Sequence, residues 1–280
     1  MIDKDVLADI QRIELELLKA VVFLCDRYNL RYSIYCGTLL GAVRHRGFIP
    51  WDDDVDLVMP LKDYRIFLKH ADELPPGITC LHRNNVKDYH HLWAKVAKDN
   101  TTFMPVAYAG LDIHWGISLD IYPMIGTPNT AIGKELQKII VFVIRRLQFV
   151  PVYSAQRFPG RFKFLKWILA SSPFFIRQGL INMFSYICMR NIEGSVSIGT
   201  IDAAPFEGKY KREDWKDMTN LLFEDAYYTA PVRYDKILRK MYGDYMKLPP
   251  EEARTIHIKG EVIIDPHRDY RLYRKELLGK

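Results

Sequence analysis

Cysteine is scarce in this chain, and so are the patterns that would fix a domain covalently or through structural zinc. The four cysteines in 280 residues, Cys25, Cys36, Cys80 and Cys188, form no close pair, which argues against a zinc knuckle and a disulfide framework. Cys25 and Cys36 lie in apolar surroundings and read as small buried hydrophobes. No apolar run reaches the roughly 20 residues needed to cross a bilayer. A charged periodic segment, Met1–Leu24, stands where a secretory signal would place basic, apolar and small-residue zones, so an intracellular chain is expected. The glycine-rich loop ending in Lys-Ser or Lys-Thr is missing, as is the ligand spacing of an EF-hand. Zinc-finger, homeodomain and RNA-recognition patterns are absent, and no nucleic-acid partner is expected.

What is present is an apolar fraction of 49% in a chain long enough to bury a sizeable core. The net charge of +6 is unevenly spread: from Lys134 to Arg190 ten Lys or Arg face one acid, Glu135, so that stretch carries +9 and the remainder −3. Such local basicity suits a polyphosphate entrance or an anionic lipid surface. The same stretch is helical in pattern and apolar between its basic residues. It therefore reads either as a peripheral membrane contact through residues 134–190 or as a subdomain packed on the core.

Val6, Ile10, Ile13, Leu17, Val21 and Leu24 recur every three or four residues, which predicts an amphipathic structural helix over 3–27. Residues 31–36 read as a strand ended by Gly37-Thr38, with a short helix starting at Leu39. Asp56–Met59 reads as a strand and 62–73 as a helix; segments near 78–82, 91–97 and 117–122 read as further strands of one sheet. A last helix is expected over 234–241. The fold class is α/β (α+β), a mixed sheet flanked by helices. The expected division is a catalytic core over 1–132, a basic helical insertion over 133–190, and a C-terminal part over 191–280 that completes the core and substrate site.

The chemistry is concentrated in Trp51-Asp52-Asp53-Asp54-Val55-Asp56. In an extended chain side chains two apart share a face, so Asp54 and Asp56 are expected together, with Asp52 in the same alternation. Neighbouring carboxylates repel in a poorly solvated site, and a divalent cation relieves the repulsion. All-oxygen ligands point to Mg2+, with Mn2+ as the alternative. Asp120, a lone acid in an apolar strand, is the candidate third ligand because burying it without a partner would be costly. The expected metal set is Asp54, Asp56 and Asp120, with Asp52 as a further candidate.

Gly37, Thr38 and Gly41 form a small-residue turn that would let backbone N–H groups approach a phosphate. Arg44, ahead of His45 and Arg46, is placed to clamp phosphate oxygens. Lys95 and His257 are weaker candidates for donor contacts, while His90 and His91 read as a solvated turn.

The run Tyr35–Met59 resembles the signature of the LicD family, which includes the fukutin-related phosphotransferases. Leu119-Asp120-Ile121-Tyr122-Pro123 is similar to that family's later acidic strand, and Pro231–Met246 with Pro249 is similar to its closing motif. The resemblance implies a nucleotidyltransferase-like core and transfer of phosphocholine from CDP-choline, or of another phospho-alcohol from a related CDP-alcohol donor, to a glycan acceptor, free or lipid-linked. It further implies that Gly37 and Thr38 contact donor phosphate, that Asp54 and Asp56 hold metal, and that Asp120 completes the catalytic set. The expected location is the cytoplasm, at the inner face of the cell membrane. Ribitol phosphate as the cargo and nucleotidyl transfer to a phosphorylated small molecule are the alternatives. A choline headgroup would call for an aromatic box, for which Trp93, Tyr108, Trp115 and Tyr122 are available.

Overall fold

The computed structural model describes residues 3–148, 174–189, 192–200, 210–254 and 260–279. Eleven strands and seven helices lie among these residues. Helix α1 (Lys4–Arg27) starts at an N-cap in which Asp3 accepts from the Asp5 N–H at 2.8 Å. Its apolar stripe, Ile10, Ile13, Leu17, Val21 and Leu24, is buried in the main core.

The central sheet is mixed, and it curls into a half-barrel-like surface flanked by helices, a nucleotidyltransferase-like arrangement. Its order is β1 (Ser33–Ile34), β2 (Asp56–Pro60), β6 (Ser118–Gly126), β4 (Ala94–Lys98) and β3 (Ile78–Leu81). Strand β6 pairs in parallel with β2. Its first half pairs antiparallel with β4 and its end with β7 (Ser197–Thr200), which continues to β8 (Tyr210–Lys211). The segments read as strands near 78–82, 91–97 and 117–122 all belong to this sheet.

Two smaller pairings were not legible from local pattern. Strand β5 (Thr102–Pro105) pairs with β11 (Val262–Asp265), and β9 (Met218–Phe223) forms a hairpin with β10 (Ala226–Pro231). The hairpin turns at Glu224, whose φ of +56° is left-handed. The expected first strand is shorter than its β-rich sequence suggested, because α2 (Cys36–Arg44) begins directly after Tyr35. Gly37 and Thr38 therefore lie in the first turn of a helix. Helix α3 spans Leu61–Lys69, α4 Ala131–Gln148, α5 Phe174–Cys188, α6 Tyr234–Tyr242 and α7 Tyr270–Leu278. No helix among the described residues is long and apolar enough to cross a membrane.

Candidate active site

Helix α2 and strand β2 are fastened together at their starts. The Tyr35 N–H donates to the Asp56 carbonyl at 2.9 Å, and the Asp56 N–H donates to Thr38 Oγ1 at 2.8 Å. A Cβ at Gly37 would lie 2.6 Å from Asp52 Oδ2, so the missing side chain makes room for that carboxylate. Gly41 does a different job. A Cβ there would meet the Gly47 carbonyl at 2.4 Å, so this glycine lets the loop after α2 fold back against the helix. Arg44 is tied at both ends of its guanidinium, with Nε donating to His45 Nε2 at 2.9 Å and Nη1 to the Tyr245 carbonyl at 2.7 Å. It thereby joins α2 to the segment after α6.

Register places the next group. Asp56 is opposite Asp120 across the parallel β2–β6 pair, and Lys95 is opposite Asp120 across the antiparallel β4–β6 pair. Residues opposite in register project from one face of a sheet, so the three side chains form a row. Lys95 Nζ ion-pairs with Asp120 Oδ1. Trp93 Nε1 and Tyr122 Oη donate to Asp120 Oδ2 at 2.8 and 3.2 Å. The lysine that could have been a surface residue is thus a partly buried partner of the third carboxylate.

The acidic run itself departs from the alternation expected of an extended chain. Strand β2 starts only at Asp56, and residues 52–55 are irregular. The bend turns Asp52, Asp53 and Asp54 toward a common point, each offering one carboxylate oxygen within 4.8 Å of the others. Asp53, which strict alternation sends to the other face, belongs to this group. Three hard oxygen donors on a mostly buried loop suit a divalent cation.

Burial pushes the Asp56 carboxyl well above the ordinary carboxylate range, with Asp54, Asp120 and Asp52 adding to the rise. Burial alone would lower the Lys95 ammonium, but Asp120, Glu14 and Asp54 together outweigh it and raise the group overall. Beside this row a cavity of about 250 Å³ is lined by Asp53, Asp54, Lys95 and Asp120 at one end and by Tyr108, Trp115 and Phe103 elsewhere. Of the four aromatic residues available for a headgroup box, Tyr108 and Trp115 line this cavity, whereas Trp93 and Tyr122 instead hold Asp120.

Two features escaped sequence reasoning. Glu14, which interrupts the apolar stripe of α1, is 1% exposed and lines the same cavity, and its Oε2 makes no hydrogen bond. Burial first, then Asp54 and Asp53, drive its carboxyl well above the usual range. A charged residue on the buried side of an otherwise regular helix was the available signal. The second is a correction: His90 and His91 are not a solvated turn. His90 is 4% exposed, both line the cavity, and their rings lie 4.1 Å apart. Burial and then Lys95 lower His90 to about 4. Burial, then His90 and Lys95, lower His91 well below its ordinary value. His257 lies outside the described residues.

The comparisons with known proteins fall on these elements. The family model described as LicD/FKTN/FKRP, nucleotidyltransferase domain, matches residues 29–142, from just before β1 into α4. Over those residues the chain shows family-level similarity to the LicD/FKRP nucleotidyltransferase domain. This LicD-type domain is enzymatic, of the nucleotidyltransferase/phosphotransferase kind. The chain is 25% identical to the lipopolysaccharide cholinephosphotransferase LicD of Haemophilus influenzae over 279 aligned positions, covering 91% of this chain and 96% of the relative. An uncharacterized protein of Rickettsia prowazekii is 52% identical over 59 residues, 21% of this chain and 19% of that protein. The human ribitol 5-phosphate transferase FKRP is 46% identical over 48 residues, 17% of this chain and 10% of FKRP.

Proposed function

We propose that the chain transfers phosphocholine from CDP-choline to a hydroxyl of a cell-surface glycan precursor, of teichoic acid or lipopolysaccharide type, and releases CMP. One observation carries this reading: Asp53, Asp54 and Asp120 line a cavity whose walls also include Phe103, Tyr108 and Trp115. A quaternary ammonium donates no hydrogen bond and is held by ring faces and nearby carboxylates, both of which this cavity offers. The name of the Haemophilus relative supports the same cargo.

Asp52, Asp53 and Asp54, together with Asp56 and Asp120, would hold Mg2+ or Mn2+, and such an ion would supply charge stabilisation at the phosphate oxygens. Gly37 and Thr38 take the donor phosphate at the start of α2, where the first-turn N–H groups have no partner within the helix. Gly41 and Arg44 support that turn, and Lys95 both neutralises and orients Asp120. The acceptor oxygen attacks the phosphorus that carries choline, the bond to the CMP oxygen breaks, and the acceptor proton passes to Asp120. Trp93, Tyr122 and Lys95 fix that carboxylate for the transfer.

Incubation with CDP-choline, Mg2+ and a panel of lipid-linked and free amino-sugar glycans tests the proposal. Phosphocholine on a glycan together with CMP is the expected result. Turnover only with CDP-ribitol would replace choline by a polyol, and pyrophosphate release from a nucleoside triphosphate would establish nucleotidyl transfer in its place.

Residues 133–190 form the basic module of this proposal, between the core of 1–132 and the completing segment 191–280. Ile132, Leu136, Ile139 and Phe142 are exposed along α4, and Leu180, Met183 and Ile187 along α5. The two helices contact each other, and Arg146 lies over the Phe142 ring at 4.9 Å. Exposed apolar stripes with adjacent cations suit the headgroup zone of an anionic membrane. On this reading the enzyme works at the inner face of the cell membrane, where a lipid-linked acceptor would be met.

A further inference from the structure

Glu14 has no role in the reaction as set out so far, and the Lys95 ammonium that lines the same cavity is already ion-paired with Asp120. It occupies a position on α1 whose neighbours along the stripe, Ile10, Ile13, Leu17 and Leu18, are all buried apolar residues. A buried carboxyl oxygen that accepts no hydrogen bond is disfavoured relative to one in water. Burial in contact with apolar neighbours alone would favour Leu or Met at this position. The carboxyl instead lines the cavity that Asp53, Asp54 and Asp120 also line, and Oε2 is the atom left without a hydrogen bond.

We infer that Glu14 is a ligand of the divalent cation at this site, closing it from the α1 side opposite the 52–54 loop. The inference rests on the metal-dependent reading above and extends it to a residue outside the acidic motif, contributed by a helix that precedes the matched domain region of residues 29–142. A divalent cation is the group whose charge lets carboxylates from α1 and from the loop share one poorly solvated volume. Helix α1 contacts both β4 and β6, so a ligand on it would also couple ion binding to the seating of that helix on the sheet.

The test is Mn2+ binding by calorimetry or electron paramagnetic resonance on the full chain, wild type against Glu14→Gln, with thermal melts in EDTA and in excess Mg2+. The expected result is a Kd weakened by about 10- to 100-fold in Glu14→Gln, a melting temperature in EDTA no lower than wild type, and a smaller rise on adding Mg2+. Equal Kd values in the two proteins would overturn the assignment and leave the metal site standing. A wild type that binds no Mn2+ would overturn the assignment and the metal-dependent reading together. Should the variant not fold, anomalous scattering from Mn2+ in wild-type crystals decides. An ion within about 2–2.5 Å of the Glu14 carboxylate supports the inference, and an ion held only by the aspartates overturns it.

Discussion

The acidic pocket and the basic face of α4 concentrate charge of opposite sign by opposite means. In the pocket, strand register and a tight loop force carboxylates together: Asp56, Asp120 and Lys95 are fixed by pairing across β2, β6 and β4. Electrostatic repulsion there is strong because water is largely excluded. On α4 the cations share their surface with exposed Ile, Leu and Phe side chains. A buried site converts charge into chemistry, whereas a solvated one offers attraction that salt weakens. Substitutions in the two regions should therefore differ in size, in salt dependence and in what they change.

The sharpest contrast is expected at the carboxylates. Asp54→Asn or Asp56→Asn should lower turnover by about 10³-fold or more, through lost charge stabilisation in the reacting complex, with little loss of folding. Steady-state rates combined with thermal melts would check this. Near-normal metal-dependent transfer in either variant would remove that residue from the site.

The pocket's histidines give the next largest effect, in stability. His90 takes a proton near its ordinary 6.5 when unfolded but only near about 4 when folded. Its contribution is fully present above pH 6.5 and is lost as pH falls from there toward about 4, amounting to about 3 kcal/mol. His91 shifts in the same direction, whereas the raised carboxyls of Asp56 and Glu14 act with the opposite sign. The measurement is therefore the difference in unfolding free energy between wild type and His90→Gln at pH 7.5 and pH 4.5. A pH-independent difference would show that His90 is not held neutral by its surroundings.

The two glycines of α2 separate packing from chemistry on a smaller scale. Gly41→Ala drives a methyl into the Gly47 backbone and should cost about 1–3 kcal/mol of stability, seen in urea melts. Gly37→Ala meets only the Asp52 side chain, which can turn away. Its expected signature is weaker metal binding and slower transfer at nearly unchanged stability. The reverse pattern would interchange the two assignments.

The smallest effects belong to the basic face. Arg146→Glu, with Lys138→Glu, should weaken association with vesicles containing anionic lipid by roughly 1 kcal/mol per cation replaced, leaving transfer to a water-soluble acceptor unchanged. Vesicle co-sedimentation at low and high salt would read this, and salt-independent association would argue against the electrostatic part of the contact.

The sheet strands with strong local pattern were legible in the sequence: β3, β4 and β6 are short apolar segments recognisable from their own residues, although their partners are not. Strand β11 was not, because Val262–Asp265 finds its partner in Thr102–Pro105, far away along the chain. The carboxylate run was legible as chemistry from its density alone, and register then placed Asp120 beside Asp56. Its internal geometry was not, since the alternation of an extended chain fails where the strand starts at Asp56. Glu14, His90 and His91 take their character from burial, which depends on neighbours that no local pattern reveals.

The metal-dependent CDP-alcohol site proposed at residues 52–56 and Asp120 is open to phosphorus NMR of wild type and Asp54→Asn, each with CDP-choline, Mg2+ and glycan acceptor. CMP and a phosphocholine diester are expected with wild type, neither with Asp54→Asn, and neither with wild type in EDTA. Equal CMP and diester formation with Asp54→Asn, or formation undiminished in EDTA, would contradict it.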